Sequence, residues 1–404
     1  MNGDNSDDGA EVAYARALDG VIGLYLAGRL EEAYAAGLRL LPLRPGDAAL
    51  LQLVGGIAVR SGRAEDGVAM LSRAVEIAPD NFDILLHLGG ALYEAGRLKE
   101  AAAVLGLALS MQPDHGEALN NLGAVIEALG RPGEAAVLFR RAVEAAPEFA
   151  PAHLNLGKAL FATGNCGPAE GAFSRALAID GGLIEAHIGL GNALKLQGRH
   201  GQAVAAYRRG IEQEPHSASA HYNLAITLHA MGEQAAARAE LEKAMELEPS
   251  PGARVQLALL FPVIAASMDE IMEARKRAAS ELDAMIAEGV RIQDPYTETR
   301  FTNFYLAYNG VNDRPLQQKI ASFYLSACPD LGWIAPHCEK AGKKPKGKAK
   351  GKRIRLAIAS AFLHSQTVGR LYRGIIENLD KDKFEIVIFR ASVKRDEMAD
   401  AIDA

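Results

Sequence analysis

Cysteine is scarce: 404 residues contain only Cys166, Cys328 and Cys338. An odd, small set fits reduced thiols in a cytoplasm better than a disulfide framework. Long hydrophobic runs are also missing. None reaches the roughly 18 residues that a membrane helix needs, so no membrane partner is expected. The first residues, "MNGDNSDDGAE", carry neither a basic n-region nor an apolar h-region. They do not read as a secretory signal, and residues 1–12 are expected to be an acidic flexible tail. Charge of one sign is not in large excess. The formal net charge of -6 selects no class of partner.

What the chain does have is a period. Gly28, Gly62, Gly96, Gly130, Gly164, Gly198 and Gly232 stand 34 residues apart. Pro45, Pro79, Pro113, Pro147, Pro215 and Pro249 form a second comb, with Gly181 in the missing place. Ala33, Gly67, Ala101, Ala135, Ala169, Ala203 and Ala237 form a third. In "HGEALNNLGAVIEALGRPGEAAVLFRRAVEAAP" (His115 to Pro147) the spacing predicts two helices. Gly130 closes the first in a left-handed conformation, Pro132 starts the second and Pro147 stops it. Small Ala135 and Ala142 let the helices approach. One such hairpin cannot bury its apolar face alone, whereas a stack of them can. The three combs resemble those of the tetratricopeptide repeat. That resemblance implies about seven repeats over residues 13–250, wound into a right-handed superhelix whose first helices line a concave, protein-binding groove.

Two residues before the row Gly55, Gly89, Gly123, Gly157, Gly191 and Ala225 stand Leu53, His87, Asn121, Asn155, Gly189 and Asn223. An Asn amide both donates and accepts. His87, Asn121, Asn155 and Asn223 are therefore candidates to pair with the backbone of an extended peptide. The same positions are equally open to a structural role, bonding a neighbouring helix. Leu53 and Gly189 interrupt the row. An Asn ladder of this kind is characteristic of the superhelix of O-GlcNAc transferase, which this array resembles. His153, His187 and His221 are also 34 apart. They read as packing and hydrogen-bonding side chains, and no metal site is expected.

The period fails after Pro249, and residues 251–340 read as a helical capping or connector region. In it, Ser267 and Glu270 form a capping box and Gly289 is a stop. Its aromatics, Phe301 to Trp333, suit packing between units. Cys328, His337 and Cys338 lack a C-x-x-C and a fourth ligand, so they carry no metal expectation. Residues 341–353 are a Lys/Gly-rich linker. It has no interleaved aromatics, so nucleic acid is not an expected partner.

"IRLAIAS" (Ile354 to Ser360) and "FEIVIF" (Phe384 to Phe389) are apolar on both faces, as strands of a buried parallel sheet are. Helical spacing lies between them, so the segment reads as one βαβ unit. Its strands have no further neighbours in residues 354–404, which predicts an incomplete α/β domain. The stretch "RIRLAIASAFLHSQTVGRLYRGIIENLDKDKFEIVIFRAS" resembles the start of the catalytic region of O-GlcNAc transferase and SPINDLY-type glycosyltransferases. "FYLAYNGVNDRPL" and "CPDLGWIAPHC" resemble segments of bacterial SPINDLY-like members. The resemblance implies a two-Rossmann-domain (GT-B) transferase that moves a sugar from a nucleotide donor, UDP-GlcNAc or GDP-fucose, to Ser or Thr of proteins. It implies no other cofactor. It also implies that His364, just past a strand's C-terminal end, belongs to the active site. A helix-start His that faces water is the competing reading. The second Rossmann domain is not in this sequence, so the 404 residues are expected not to transfer sugar by themselves. A non-enzymatic tetratricopeptide adaptor is the alternative from a different class.

Overall fold

The computed structural model describes residues 5–263, 265–299, 310–332, 354–360, 379–380 and 382–390. It divides into two units, Met1–Leu331 and Gly332–Ala404.

The first unit is helical. Its hairpins are α1 (Asn5–Leu26) with α2 (Leu30–Leu40), α3 (Ala48–Arg60) with α4 (Ala64–Ile77), α5 (Phe82–Glu94) with α6 (Leu98–Met111), and α7 (Gly116–Ala128) with α8 (Pro132–Ala145). They continue as α9 (Ala150–Ala162) with α10 (Cys166–Ile179), α11 (Ile184–Leu196) with α12 (His200–Gln213), and α13 (Ala218–Ala230) with α14 (Gln234–Leu247). All seven turn glycines of the first comb have φ between 72° and 84°. That region is costly for a residue with a Cβ. Residues 5–12, expected to be a flexible tail, are instead helical. No proline interrupts residues 5–26, so the helix that buries Val21 propagates back towards the terminus, and propagation costs little once a helix is nucleated.

The second comb of glycines is a packing device. A Cβ built on Gly123 would lie 2.5 Å from the Phe139 ring, one on Gly157 2.7 Å from Phe173, and one on Gly191 2.4 Å from Tyr207. Leu71 and Leu105 fill the same notch opposite Gly55 and Gly89. These second-helix side chains are 0–1% exposed. The repeat therefore locks by putting a large apolar residue of one helix where the other has no side chain.

Polar groups join successive hairpins. Arg141 donates to the Pro113 carbonyl at 2.9 Å and Arg73 to that of Pro45 at 3.4 Å. The rings of His153, His187 and His221 reach back to the carbonyls of Pro147, Gly181 and Pro215, at 2.9, 3.2 and 3.1 Å. The histidine row thus ties each first helix to the loop before it.

The array is followed by α15 (Pro251–Ala258), α16 (Met268–Ala287), α17 (Pro295–Thr299), α18 (Arg314–Ala327) and a 3-10 turn at Pro329–Gly332. Ser267 caps α16 by accepting from the Glu270 N–H, and Gly289 ends it at φ 70°. Val255, Phe261, Leu282, Met285, Leu316 and Phe323 form one buried cluster there. Arg275 secures it from the polar side, donating to Asp313 at 2.6 Å and to the Asn312 carbonyl at 2.8 Å.

In the second unit, β1 (Ile354–Ser360) and β2 (Phe384–Arg390) pair in parallel, with Ile354 opposite Phe384 and Ser360 opposite Arg390. The strands are where the sequence places them. The expected helix between them, with His364, lies outside the described residues, as do His337 and Cys338.

Adjacent glycines in α5 give opposite expectations. An added Cβ on Gly89 would sit 2.5 Å from Leu105, whereas one on Gly90 meets nothing within 4 Å. Overpacking costs about 1–3 kcal/mol, and Gly→Ala in a helix interior regains about 1 kcal/mol. Gly89→Ala should therefore lower the thermal midpoint and Gly90→Ala should raise it. Circular dichroism melts of both variants check the sign.

Candidate binding groove

The first helices α3, α5 and α7 line a groove of ≈ 680 Å³. Leu53, His87 and Asn121 come to it from equivalent positions of three successive repeats. Gly56, Gly90 and Ala124 form its floor line, and Leu71 and Leu105 lie buried beneath. The rim carries Gln52, Tyr93, Glu94 and Glu117. His87 Nδ1 is 2.8 Å from Gln52 Nε2, so the two side chains are held together across neighbouring repeats. Arg60 stacks on Tyr25, with its guanidinium 4.9 Å from the ring centroid, and donates to that hydroxyl at 2.7 Å.

The rest of the predicted polar row is dispersed. Asn155 turns to the preceding repeat and donates to Asn120 Oδ1 at 2.9 Å. Buried Asn120 in turn approaches Asn121 at 3.4 Å. The sequence reading missed Asn120, whose only signal was a second Asn beside the row. Gly189 interrupts the row for a steric reason: a Cβ there would lie 2.5 Å from Phe173, whose ring fills notches in two hairpins. Asn223 donates to its own helix at Ser219 O, 2.8 Å, and accepts from Lys195 at 3.4 Å.

Asn223 lines a separate depression of ≈ 520 Å³ with Asn192, Lys195, Ser219, Tyr222 and Glu298. Asn192 there accepts from the buried Tyr207 hydroxyl at 2.9 Å, and burial raises that phenol's pKa. Between the two recesses, partial burial raises the Glu127 carboxyl, with Lys158 opposing the shift. Among the described residues no cluster of His, Cys, Asp or Glu has the makings of a metal site. None of their helices is long and apolar enough to cross a membrane.

Residues 58–126 and 128–187 match a tetratricopeptide repeat family model, residues 191–232 a TPR repeat model and residues 218–251 another tetratricopeptide repeat model. The hairpins within these residues are tetratricopeptide repeats. Among solved structures, the array is similar to YrrB, described as a TPR protein with an unusual peptide-binding site: 23% identity, 45% of this chain, 94% of that one, TM-score 0.40. It is similar to a thermophilic TPR protein of Thermus thermophilus, at 21% identity, over 45% of this chain and 99% of that one, with TM-score 0.40. It is similar also to PilF of Pseudomonas aeruginosa, at 18% identity, over 52% and 96%, with TM-score 0.46. A search of curated proteins found no match.

The tetratricopeptide stack uses the Asn120–Asn155 bond to join two repeats. Removing either partner should cost about 1–2 kcal/mol, because a buried amide group is left unpaired. Urea denaturation of Asn120→Ala, Asn155→Ala and the double variant should show a coupling of about 0.5–1.5 kcal/mol. Strict additivity would remove the bond from the account.

Proposed function

We propose that this protein is a protein-interaction array that seats an extended polypeptide segment along the groove of α3, α5 and α7. One observation carries this reading. His87 and Asn121 present hydrogen-bonding side chains at the same position of consecutive repeats, above a floor that glycine leaves open. Such groups pair with a peptide backbone whatever its side chains. Asn155 and Asn223, engaged within the fold, play a lesser part. His87→Ala with Asn121→Ala should weaken a captured client about tenfold or more, at about 0.5–1.5 kcal/mol for each bond. Titration calorimetry with a client isolated by affinity capture measures it. Unchanged affinity would return both residues to a structural role.

A second reading attaches to residues 354–404. Parallel pairing of β1 with β2 requires a crossover connection. That supports the resemblance to O-GlcNAc transferase and SPINDLY-type enzymes, in which the array would hold the protein acceptor. His364 would then serve as a general acid or base, or hold a sugar or phosphate oxygen. Radiolabelled UDP-GlcNAc or GDP-fucose incubated with chain and protein mixture tests it. Label that is transferred, and lost in His364→Ala, supports a transferase. Absence of label fits both the adaptor reading and the expectation that these 404 residues do not transfer sugar by themselves, so only transferred label decides between the readings.

A further inference from the structure

We propose that the groove across α3, α5 and α7 selects a cationic segment bearing one bulky apolar side chain: a Trp, Phe or Leu flanked by Lys or Arg. This rests on the groove reading above and adds the chemistry of the occupant.

The size of the recess comes first. Gly55 and Gly89 are explained from inside the protein, because Leu71 and Leu105 occupy their notches. Gly56 and Gly90 are not. Each sits in a helix interior, where glycine is disfavoured, and the space that its Cβ would take is empty of protein atoms. The opening between them belongs to a recess of ≈ 680 Å³. That is within the roughly 300–1,000 Å³ of typical ligand pockets. Leu53, Val59 and Tyr93 supply apolar wall.

Charge then decides the flanks. Glu94 and Glu117 line the recess, both exposed, and neither makes a hydrogen bond or ion pair among the described residues. Asp83 stands one repeat before Glu117, at the equivalent position of α5, and is likewise exposed and unpaired. Arg60, the cation of the wall, is held against the neutral Tyr25 ring and hydroxyl and keeps its charge, so the lining sets two carboxylates against one guanidinium. A Lys- or Arg-flanked segment therefore meets a net excess of carboxylate within a Debye length of about 8 Å at physiological salt. An acidic segment meets like charge.

Fluorescence anisotropy with the full chain tests this. The probes are short fluorescein-labelled Gly/Ser peptides whose centre is Trp or Ser and whose flanks are Lys or Glu. The Trp/Lys peptide should bind at least about tenfold tighter than peptides with either feature exchanged. Gly90→Leu puts a bulky side chain into the recess from a position where its Cβ meets nothing within 4 Å. It should lose about tenfold for the Trp/Lys peptide while its melting temperature does not fall. Gly90→Ala, a smaller plug, should lose less. Glu94→Gln with Glu117→Gln should weaken binding about two- to fivefold and flatten its salt dependence. Equal binding of the Trp/Glu peptide, or Gly90→Leu binding like the parent chain, overturns the proposal. If a peptide of other chemistry binds and is lost in His87→Ala with Asn121→Ala, the groove reading stands and this specificity falls. If no peptide responds to either set of variants, both fall.

Discussion

The structure of the array depends on a missing side chain. Each first helix from α3 to α11 has glycine where its second helix presents Leu, Phe or Tyr. The notch lets the two axes approach while a large apolar residue is fully enclosed, a burial of about 1.5–3 kcal/mol per hairpin. The last hairpin varies the theme: Ala225 faces the stack and Leu241 replaces the aromatic residue, both buried with Ala253 of α15. A slimmer partner is not what admits this Cβ, since Leu105 is as slim and would lie 2.5 Å from a Cβ on Gly89; the difference is that here the chain leaves the repeat for its cap.

Notch packing makes each hairpin, and polar bonds to loop carbonyls make the stack. Chain carbonyls in the Pro-marked loops cannot all find backbone donors there. Arg73 and Arg141 serve one set and the His153, His187 and His221 rings another. Buried polar groups without partners are expensive, so the buried histidines recur with the repeat, whereas the Arg bonds are exposed and contribute less. The exposed Arg–Glu pairs beside the turns, such as Arg63–Glu31 and Arg97–Glu65, follow the same period but contribute little each in water.

This division explains what could be read in advance. Turn glycines, helix-stopping prolines and small packing residues are dictated by backbone geometry within one repeat, so residue type alone revealed them. Ser267 and Gly289 were legible for the same reason. The roles of the Asn row were not. Asn121, Asn155 and Asn223 occupy one repeat position, yet they do not share one partnership: Asn121 and Asn155 both meet Asn120, and Asn223 meets Ser219 and Lys195. Position along a period specifies direction, not partner. Gly189 resembled a gap in a polar ladder because the ring of Phe173 that requires it belongs to another helix. Residues 5–12 were misread because acidity suggested solvation, while no local signal marked a helix boundary there.

The same distinction ranks the terms available to a bound segment. Two surviving row members, His87 and Asn121, offer hydrogen bonds whose net worth is about 0.5–1.5 kcal/mol each. His87 must share its bonding with Gln52, so its contribution lies towards the lower end. Enclosing one large apolar side chain is worth about 1.5–3 kcal/mol. On the proposed reading the open floor above Gly56 and Gly90 is therefore worth about as much as the polar pair together, about 1–3 kcal/mol. On the same reading the pair would set register, since its two groups stand one repeat apart along the groove. Stability and the proposed recognition thus draw on alternate faces of the same helices. Gly55 and Gly89 turn inward and hold the fold together. The glycine that follows each turns outward, and no contact within the fold requires it.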